Sequence, residues 1–255
     1  MNSSGEPVLG VAVKNLTFAY GDKPLFENLN LLSKHENPIV FLGPSGCGKT
    51  TLLKLMAGLL RPGGGEINFI RSAGTSTVEN GTGASFVFQE PRLLPWKTVL
   101  ENVTLPVEQS LGKTGAEDRA RQFLRHVSLE DRALAFPDEL SGGQKQRVSF
   151  ARAFAFPAPV ILMDEPFQSL DIPLRIQLMD VTRSLLAQSP RLAVIVTHDP
   201  REAVYLGQRI LVLGKPPAGV VFDETLDMAA GDRIFGAETP GGVEQRLMEV
   251  LTTVS

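Results

Sequence analysis

Apolar residues gather along the chain in short runs bounded by turn residues, at 9–13, 25–32, 39–42, 67–70, 84–88, 160–163, 192–196 and 209–213. Runs of this length, rich in Val, Ile, Leu and Phe, predict strands. Between the later runs the spacing becomes helical. Leu174, Leu178, Val181 and Leu185 are four, three and four apart, with Arg175, Asp180 and Arg183 on the other face. This alternation predicts an α/β core with a mainly parallel sheet. From residue 99 to about 155 the strand pattern stops, and Ala120, Phe123, Leu124 and Val127 oppose Glu117, Asp118, Arg121 and Arg125 at helical spacing. A helical lobe inserted into the sheet domain is the simplest reading. The first strands, joined at Gly21 and Asp22, read as an antiparallel pair. The polar stretch 72–83 reads as a surface hairpin loop. An amphipathic helix is expected at 243–251.

Composition narrows the classes. A chain of 255 residues suits one large domain with a lobe, not two linked full-length domains. Its net charge of −3 comes from 25 Lys and Arg scattered among 28 Asp and Glu, so no basic face calls for nucleic acid. The longest apolar stretch without a charge, 153–163, holds Pro157 and Pro159 and falls well short of the roughly 18–20 residues of a membrane span. Residues 1–13 lack both a basic residue and a sustained apolar run, so no signal peptide is expected. A single cysteine, Cys47, makes no intrachain disulfide. A reducing cytoplasm fits both features.

The chemistry starts after the run 39–42, with Gly43-Pro44-Ser45-Gly46-Cys47-Gly48-Lys49-Thr50-Thr51 and then an apolar helical run, 52–60, that stops at Arg61-Pro62-Gly63. Glycines let the backbone wrap so that its N–H groups converge on phosphate oxygens, above the positive end of a helix. Lys49 would reach the β- and γ-phosphates of a nucleoside triphosphate and Thr50 would ligate Mg²⁺. The plainer alternative is a glycine-rich turn with a surface lysine. Strand, loop and helix in this order favour the phosphate reading. Thiol modification at Cys47 would be expected to obstruct nucleotide binding. The run Val160-Ile161-Leu162-Met163 ends in Asp164-Glu165, where α/β sheets place ligands. Asp164 can hold Mg²⁺ and Glu165 can polarise an attacking water, although such a pair is also a common helix cap. In Leu140-Ser141-Gly142-Gly143-Gln144-Lys145-Gln146-Arg147, Ser141 and Gln144 have the spacing of a capping box. Capping leaves Gly142 and Gly143 unexplained, because glycine is a poor helix former.

With these glycines the chain resembles the ABC ATPase family, whose elements follow in order across nearly its whole length. Ser141-Gly142-Gly143-Gln144 resembles the signature sequence, Gly43 to Thr51 the Walker A loop, and Asp164-Glu165 the Walker B pair. Tyr20 resembles the aromatic that stacks on adenine, and Gln89, in Phe88-Gln89-Glu90, the glutamine that contacts Mg²⁺ and the attacking water. His198 resembles the histidine that contacts the γ-phosphate, and Ser169-Leu170-Asp171 the segment that crosses a dimer interface. Read without the resemblance, Tyr20 is a strand-end aromatic, Gln89 a solvated polar residue, and His198 a structural residue ahead of a helix capped by Asp199.

The resemblance implies a P-loop NTPase core with an N-terminal antiparallel β subdomain, spanning residues 1–90 and 156–255, and a helical subdomain over 91–155. It implies an ATPase of a membrane transporter that pairs head to tail with a second copy, so that Ser141 and Gly143 serve the partner's nucleotide. Membrane-spanning permease subunits, and through them a solute-binding protein, are the further partners implied. The place implied is the cytoplasmic face of the plasma membrane. Residues 89–103 and 163–171 are most similar to importers of nitrate, sulfonates and taurine. Two departures stand out: Lys34-His35-Glu36-Asn37-Pro38 where a glycine turn is usual, and Gln168 where a small residue is common. For Leu93, Leu94 and Trp96, packing in the lobe and docking against a permease both stay open. A soluble ABC ATPase of DNA repair or translation is the competing class. Against it stand the absent coiled-coil insertion, tandem copy and basic face. A silent regulatory subunit would not need Lys49, Asp164, Glu165 and His198 intact.

Overall fold

The computed structural model describes residues 8–34, 37–71, 74–77, 83–168, 170–227, 233–237 and 240–254. His35, Glu36, Ser169 and most of the stretch 72–83 lie outside them. Along the described residues run β1 (Val8–Tyr20), β2 (Lys23–Lys34), β3 (Ile39–Leu42), α1 (Lys49–Met56), β4 (Gly64–Arg71), β5 (Gly74–Thr77), β6 (Ala84–Val87), α2 (Val99–Thr104), α3 (Glu108–His126), α4 (Gly142–Ala155), β7 (Val160–Asp164), α5 (Ile172–Gln188), β8 (Leu192–Val196), α6 (Pro200–Leu206), β9 (Arg209–Leu213), β10 (Val220–Thr225) and α7 (Val243–Val254).

Two sheets result. The larger runs β10-β9-β3-β8-β7-β6, parallel throughout except for β10 on β9. Its central strands are apolar on both faces, and their two-residue period sorts the side chains into two layers. Val40, Leu42, Ile161, Met163, Ala193 and Ile195 join one core, with Phe150 and Phe154 of α4 and Leu178 and Leu185 of α5. Ile39, Phe41, Val160, Leu162, Val194 and Val196 join the other, with Leu52, Leu53 and Met56 of α1 and Phe26 and Phe69 of the smaller sheet. That sheet has the order β2-β1-β4-β5, antiparallel throughout. Its first hairpin turns at Gly21 and Asp22, with Tyr20 paired to Lys23.

Between β6 and β7, which are neighbours in the sheet, the chain makes only helices: α2, α3 and α4 pack on one another. Ala120, Phe123, Leu124 and Val127 are all buried there.

Some expectations need correction. Within the expected surface loop, residues 74–77 pair with β4 as a strand, because backbone pairing at a sheet edge does not need apolar side chains. Strand β10 carries no long apolar run, because its positions alternate between half-buried and exposed. Arg175 does not face solvent. It turns back to Asp199 and Glu202, both at 3.5 Å, so a charge at a polar heptad position is drawn inward by two carboxylates. Trp96 packs no core, being 71% exposed, while the neighbouring Leu93 rests against the core.

Candidate functional site

Strand β3 ends at Leu42 and the chain turns into the glycine loop, which becomes α1 at Lys49. Gly48 adopts φ 103°, in the left-handed region, and a Cβ there would come within 2.7 Å of the Phe26 ring. A Cβ on Gly43 would meet the Leu213 carbonyl oxygen at 2.6 Å. The loop therefore lies down tightly on β9 and β2. Cys47 points into the apolar layer beneath the loop, fully buried, and burial pushes its thiol above its usual range. The sulfur is inaccessible in the folded protein and lies 3.9 Å from Lys49 Nζ, so a thiol reagent does not reach it while the loop is closed. Lys49 folds back across the loop, its Nζ donating to the Gly43 carbonyl at 2.7 Å and the Pro44 carbonyl at 3.0 Å. Its Nζ also lies 3.9 Å from Cys47 Sγ, and a cation held by neutral loop groups is poised to exchange them for phosphate oxygens.

Above the loop opens a cavity of about 690 Å³, lined by Tyr20, Gly43, Pro44, Ser45, Gly46, Gly48, Lys49, Thr50 and Thr51. Gln89, Glu165, Gln168 and His198 complete its polar wall. The parallel sheet explains the convergence. β3, β6, β7 and β8 all point their C-terminal ends to one edge, so the residues that follow each strand meet there. Thr50 Oγ1 donates to Asp164 Oδ1 at 2.8 Å. Asp164 is buried, and desolvation raises its pKa above the usual carboxylate range although the Thr50 hydroxyl pulls the other way. His198 Nδ1 and Glu165 Oε2 lie 2.7 Å apart. Glu165 takes φ 45°, a left-handed conformation for a residue with a side chain. Its N–H is held by the Val196 carbonyl at 3.0 Å. Gln89 Nε2 donates to Gln168 Oε1 at 2.6 Å. Tyr20 is half exposed, its ring edge-on to Phe18 at 5.0 Å and its hydroxyl 3.3 Å from Thr51 Oγ1.

Behind His198 sits a buried charged cluster. Asp199 caps α6 by accepting from Arg201 N at 2.9 Å. Burial pushes its carboxyl up, but the bonds from Arg201 and the charge of Arg175 together hold it below its ordinary value. Glu202 is pushed up by burial and accepts from the Thr197 hydroxyl. Together these fix the backbone on both sides of His198.

Ser141, Gly142, Gly143, Gln144 and Asp171 do not line this cavity. Ser141 and Gln144 form the capping box: Ser141 N donates to Gln144 Oε1 at 2.8 Å and Gln144 N to Ser141 Oγ at 3.3 Å. A Cβ on Gly142 would meet nothing within 4 Å, so nothing in this subunit requires glycine there. Asp171 is exposed and caps α5 through Leu174 N at 3.0 Å. Three residues of the wall were not expected as site residues from sequence: Gln168, which stood out only as a departure from a commonly small residue, Leu25 and Leu251. An apolar residue carries no chemical signature, and Leu251 reaches the site from the far end of the chain.

The donors suit magnesium. Thr50 and Asp164 offer hard oxygens. Among the described residues, no three His, Cys, Asp or Glu side chains gather as a metal cage.

Comparison with known proteins agrees with this geometry. A family model described as ABC transporter matches residues 26–168. The aliphatic sulfonates import ATP-binding protein SsuB 1 of Rhodococcus jostii (strain RHA1) is 39% identical over 206 residues, 81% of this chain and 80% of its own. The corresponding SsuB of Burkholderia ambifaria is 41% identical over 256 residues, 94% of this chain and 77% of its own. The structure of the ATP-binding cassette MJ0796, a dimer in a post-hydrolysis state bound to ADP and Pi, superposes with a TM-score of 0.75 at 32% identity. That match covers 86% of this chain and all of the other.

Proposed function

The chain belongs to the ABC transporter family as an ATP-binding, ATP-hydrolysing subunit, and from that premise we propose how its residues divide the work and what it serves. The observation that carries the assignment is the meeting of Thr50–Asp164 and Glu165–His198 over one glycine loop, at 2.8 Å and 2.7 Å. The backbone N–H groups of residues 43–51, Cys47 included, cradle the phosphates, while Lys49 swings from its loop carbonyls to the β- and γ-phosphates. Tyr20 lies under the adenine. Thr50, Asp164 and Gln89 would hold Mg²⁺, which would supply charge neutralisation for the transferring phosphate. Glu165 takes a proton from the attacking water as it adds to the γ-phosphorus. The bond from phosphorus to the bridging oxygen breaks, and its electron pair leaves with ADP. His198 orients Glu165 and faces the γ-phosphate.

A second copy completes each site. A side chain at Gly142 would meet open space within its own subunit, which supports the use of that space by a group arriving from outside. Ser141, Gly142, Gly143 and Gln144 of one subunit close over the nucleotide held by the other, and Asp171 lies at the crossing between them. Residues 91–155 form the lobe that carries this closure, and residues 1–90 and 156–255 the catalytic core. Among the described residues no helix is long and apolar enough to cross a membrane. The subunit works through permease partners, peripherally, on the cytoplasmic face of the plasma membrane, with a solute-binding protein delivering cargo. The sulfonate importers among its relatives support small sulfonates as that cargo and speak against a role in DNA repair or translation.

The test is Glu165→Gln. It is expected to leave an ATP-held dimer on size exclusion with ATP and Mg²⁺, while steady-state hydrolysis falls by about 10²–10⁴. A monomer hydrolysing at the wild-type rate would reopen the whole assignment.

A further inference from the structure

Gln89 approaches the reacting atoms as a carboxamide, and a carboxamide has two unlike ends. Only its oxygen can bind a cation or accept from water; its NH₂ end repels one and cannot accept from the other. A glutamine free to rotate presents either end, and a partner that accepts from its NH₂ end leaves the oxygen for the cation. Such a partner sits on the opposite wall of the cavity: Gln89 Nε2 donates to Gln168 Oε1 at 2.6 Å.

We propose that Gln168 is a positioning residue for ATP hydrolysis, which grips the NH₂ end of Gln89 and thereby turns the Gln89 oxygen toward Mg²⁺ and the attacking water. The inference rests on the reading of Gln89 as a ligand of that ion. The two side chains line the same cavity as Thr50 and Glu165, so the grip is made where the ion would sit. Both are exposed, so packing against a core does not hold them together.

The backbones are set for the contact from below. Gln146 of α4, almost fully buried, donates through one Nε2 to the carbonyls of Phe88 at 3.3 Å and Pro166 at 3.0 Å. Those carbonyls belong to the residue just before Gln89 and to the turn that carries Gln168. The turn is closed by Gln168 N on the Glu165 carbonyl at 3.4 Å. One buried amide thus fixes the distance between the two segments, and the exposed pair spans it. A small residue at 168 is too short to reach across.

The proposal also accounts for why a long polar side chain is tolerated beside the nucleotide. In this chain the orientation of Gln89 is set before the nucleotide arrives, which lowers the ordering cost of metal binding.

Electron paramagnetic resonance of Mn²⁺ bound to the full-length protein with a non-hydrolysable ATP analogue measures this directly. Gln168→Met keeps the length and loses the acceptor. It is expected to weaken Mn²⁺ binding about threefold to tenfold, the worth of one hydrogen bond, and to leave analogue binding without divalent metal unchanged. Gln168→Ala should match it, and Gln168→Glu, which keeps an acceptor at the same reach, should show no loss. Gln89→Ala should weaken Mn²⁺ as well, and adding Gln168→Met to it should cost nothing more. If Gln89→Ala weakens Mn²⁺ and Gln168→Met does not, the positioning role is wrong and the assignment of Gln89 stands. Metal-free binding that falls in step with Mn²⁺ binding also overturns the role, since Gln168 is then a plain wall of the pocket. If Gln89→Ala itself leaves Mn²⁺ binding unmoved, the reading beneath the proposal fails and the proposal fails with it.

Discussion

Asp164 and Glu165 are adjacent, yet their surroundings divide the roles. Asp164 belongs to β7, points into the layer beside α1 and is 4% exposed. Glu165 has left the strand with φ 45°, a conformation that costs of order 1 kcal/mol and persists where the surroundings impose it. Here the Val196 carbonyl and His198 impose it. The raised pKa of Asp164, caused first by burial, makes a prediction about stability. A carboxyl whose folded value lies above its unfolded value contributes stability that is full below the unfolded value and lost as pH rises through the folded one. At neutral pH the ionised Asp164 therefore destabilises the nucleotide-free protein. Asp164→Asn keeps an acceptor for Thr50 and removes the charge, so the nucleotide-free melting temperature at about pH 7 should rise by on the order of 2 °C. The gain should shrink as pH falls toward about 4, where the wild-type carboxyl is protonated too. Thermal melts of both proteins across that range check it, and a variant that melts below wild type at neutral pH refutes it.

At the scale of elements, the segment from Phe88 to Lys97 behaves as a strap between core and lobe. Arg152 of α4 donates to the Arg92 and Pro91 carbonyls, each at 2.8 Å. Asn102 of α2, buried, accepts from Leu94 N at 2.8 Å and donates to the carbonyls of Leu94, Lys97 and Thr98. This many bonds hold a segment whose tryptophan, Trp96, still stands in solvent. An exposed anchor on a stiffened backbone is how a subunit presents itself to a partner. Trp96→Ala should leave ATP hydrolysis by the isolated subunit unchanged. Uptake of an alkanesulfonate by cells that carry the subunit with its permease should fall at least about tenfold, the effect of losing a buried aromatic anchor. Uptake that survives the substitution removes Trp96 from the permease face. Wild-type cells that import nitrate but no alkanesulfonate would instead move the cargo.

For the molecule as a whole, the separation of the signature from the cavity predicts complementation between two dead subunits. Lys49→Ala lacks a phosphate ligand and Ser141→Arg blocks the approach to its partner's nucleotide, so each homodimer has two defective sites. A mixed dimer has one intact site, formed by Lys49 of the second variant and Ser141 of the first. With random pairing in a two-fold symmetric dimer, hydrolysis should recover to about a quarter of wild type on mixing. A mixture as inactive as its parts would place each signature on its own subunit's nucleotide.

Much of the molecule was legible because its signals are local. A glycine loop between a strand and a helix, a run of four apolar residues ending in Asp164 and Glu165, and a capping box at Ser141 and Gln144 are short-range patterns that backbone sterics and hydrogen bonding impose wherever the chain lies. They determined the α/β class, the run of helices between β6 and β7 and the glycine loop that floors the cavity. What the tertiary structure alone decided was which side chains face one another across long separations. Arg175 turns in to Asp199 and Glu202, Cys47 points beneath its loop, Leu251 closes the cavity from the last helix, and Gln89 meets Gln168 seventy-nine positions on. None of these can be read from spacing, because each depends on parallel strands bringing distant chain ends to one edge of the sheet. There the energy of a contact is set by the burial and partners that assembly creates, not by the residue alone.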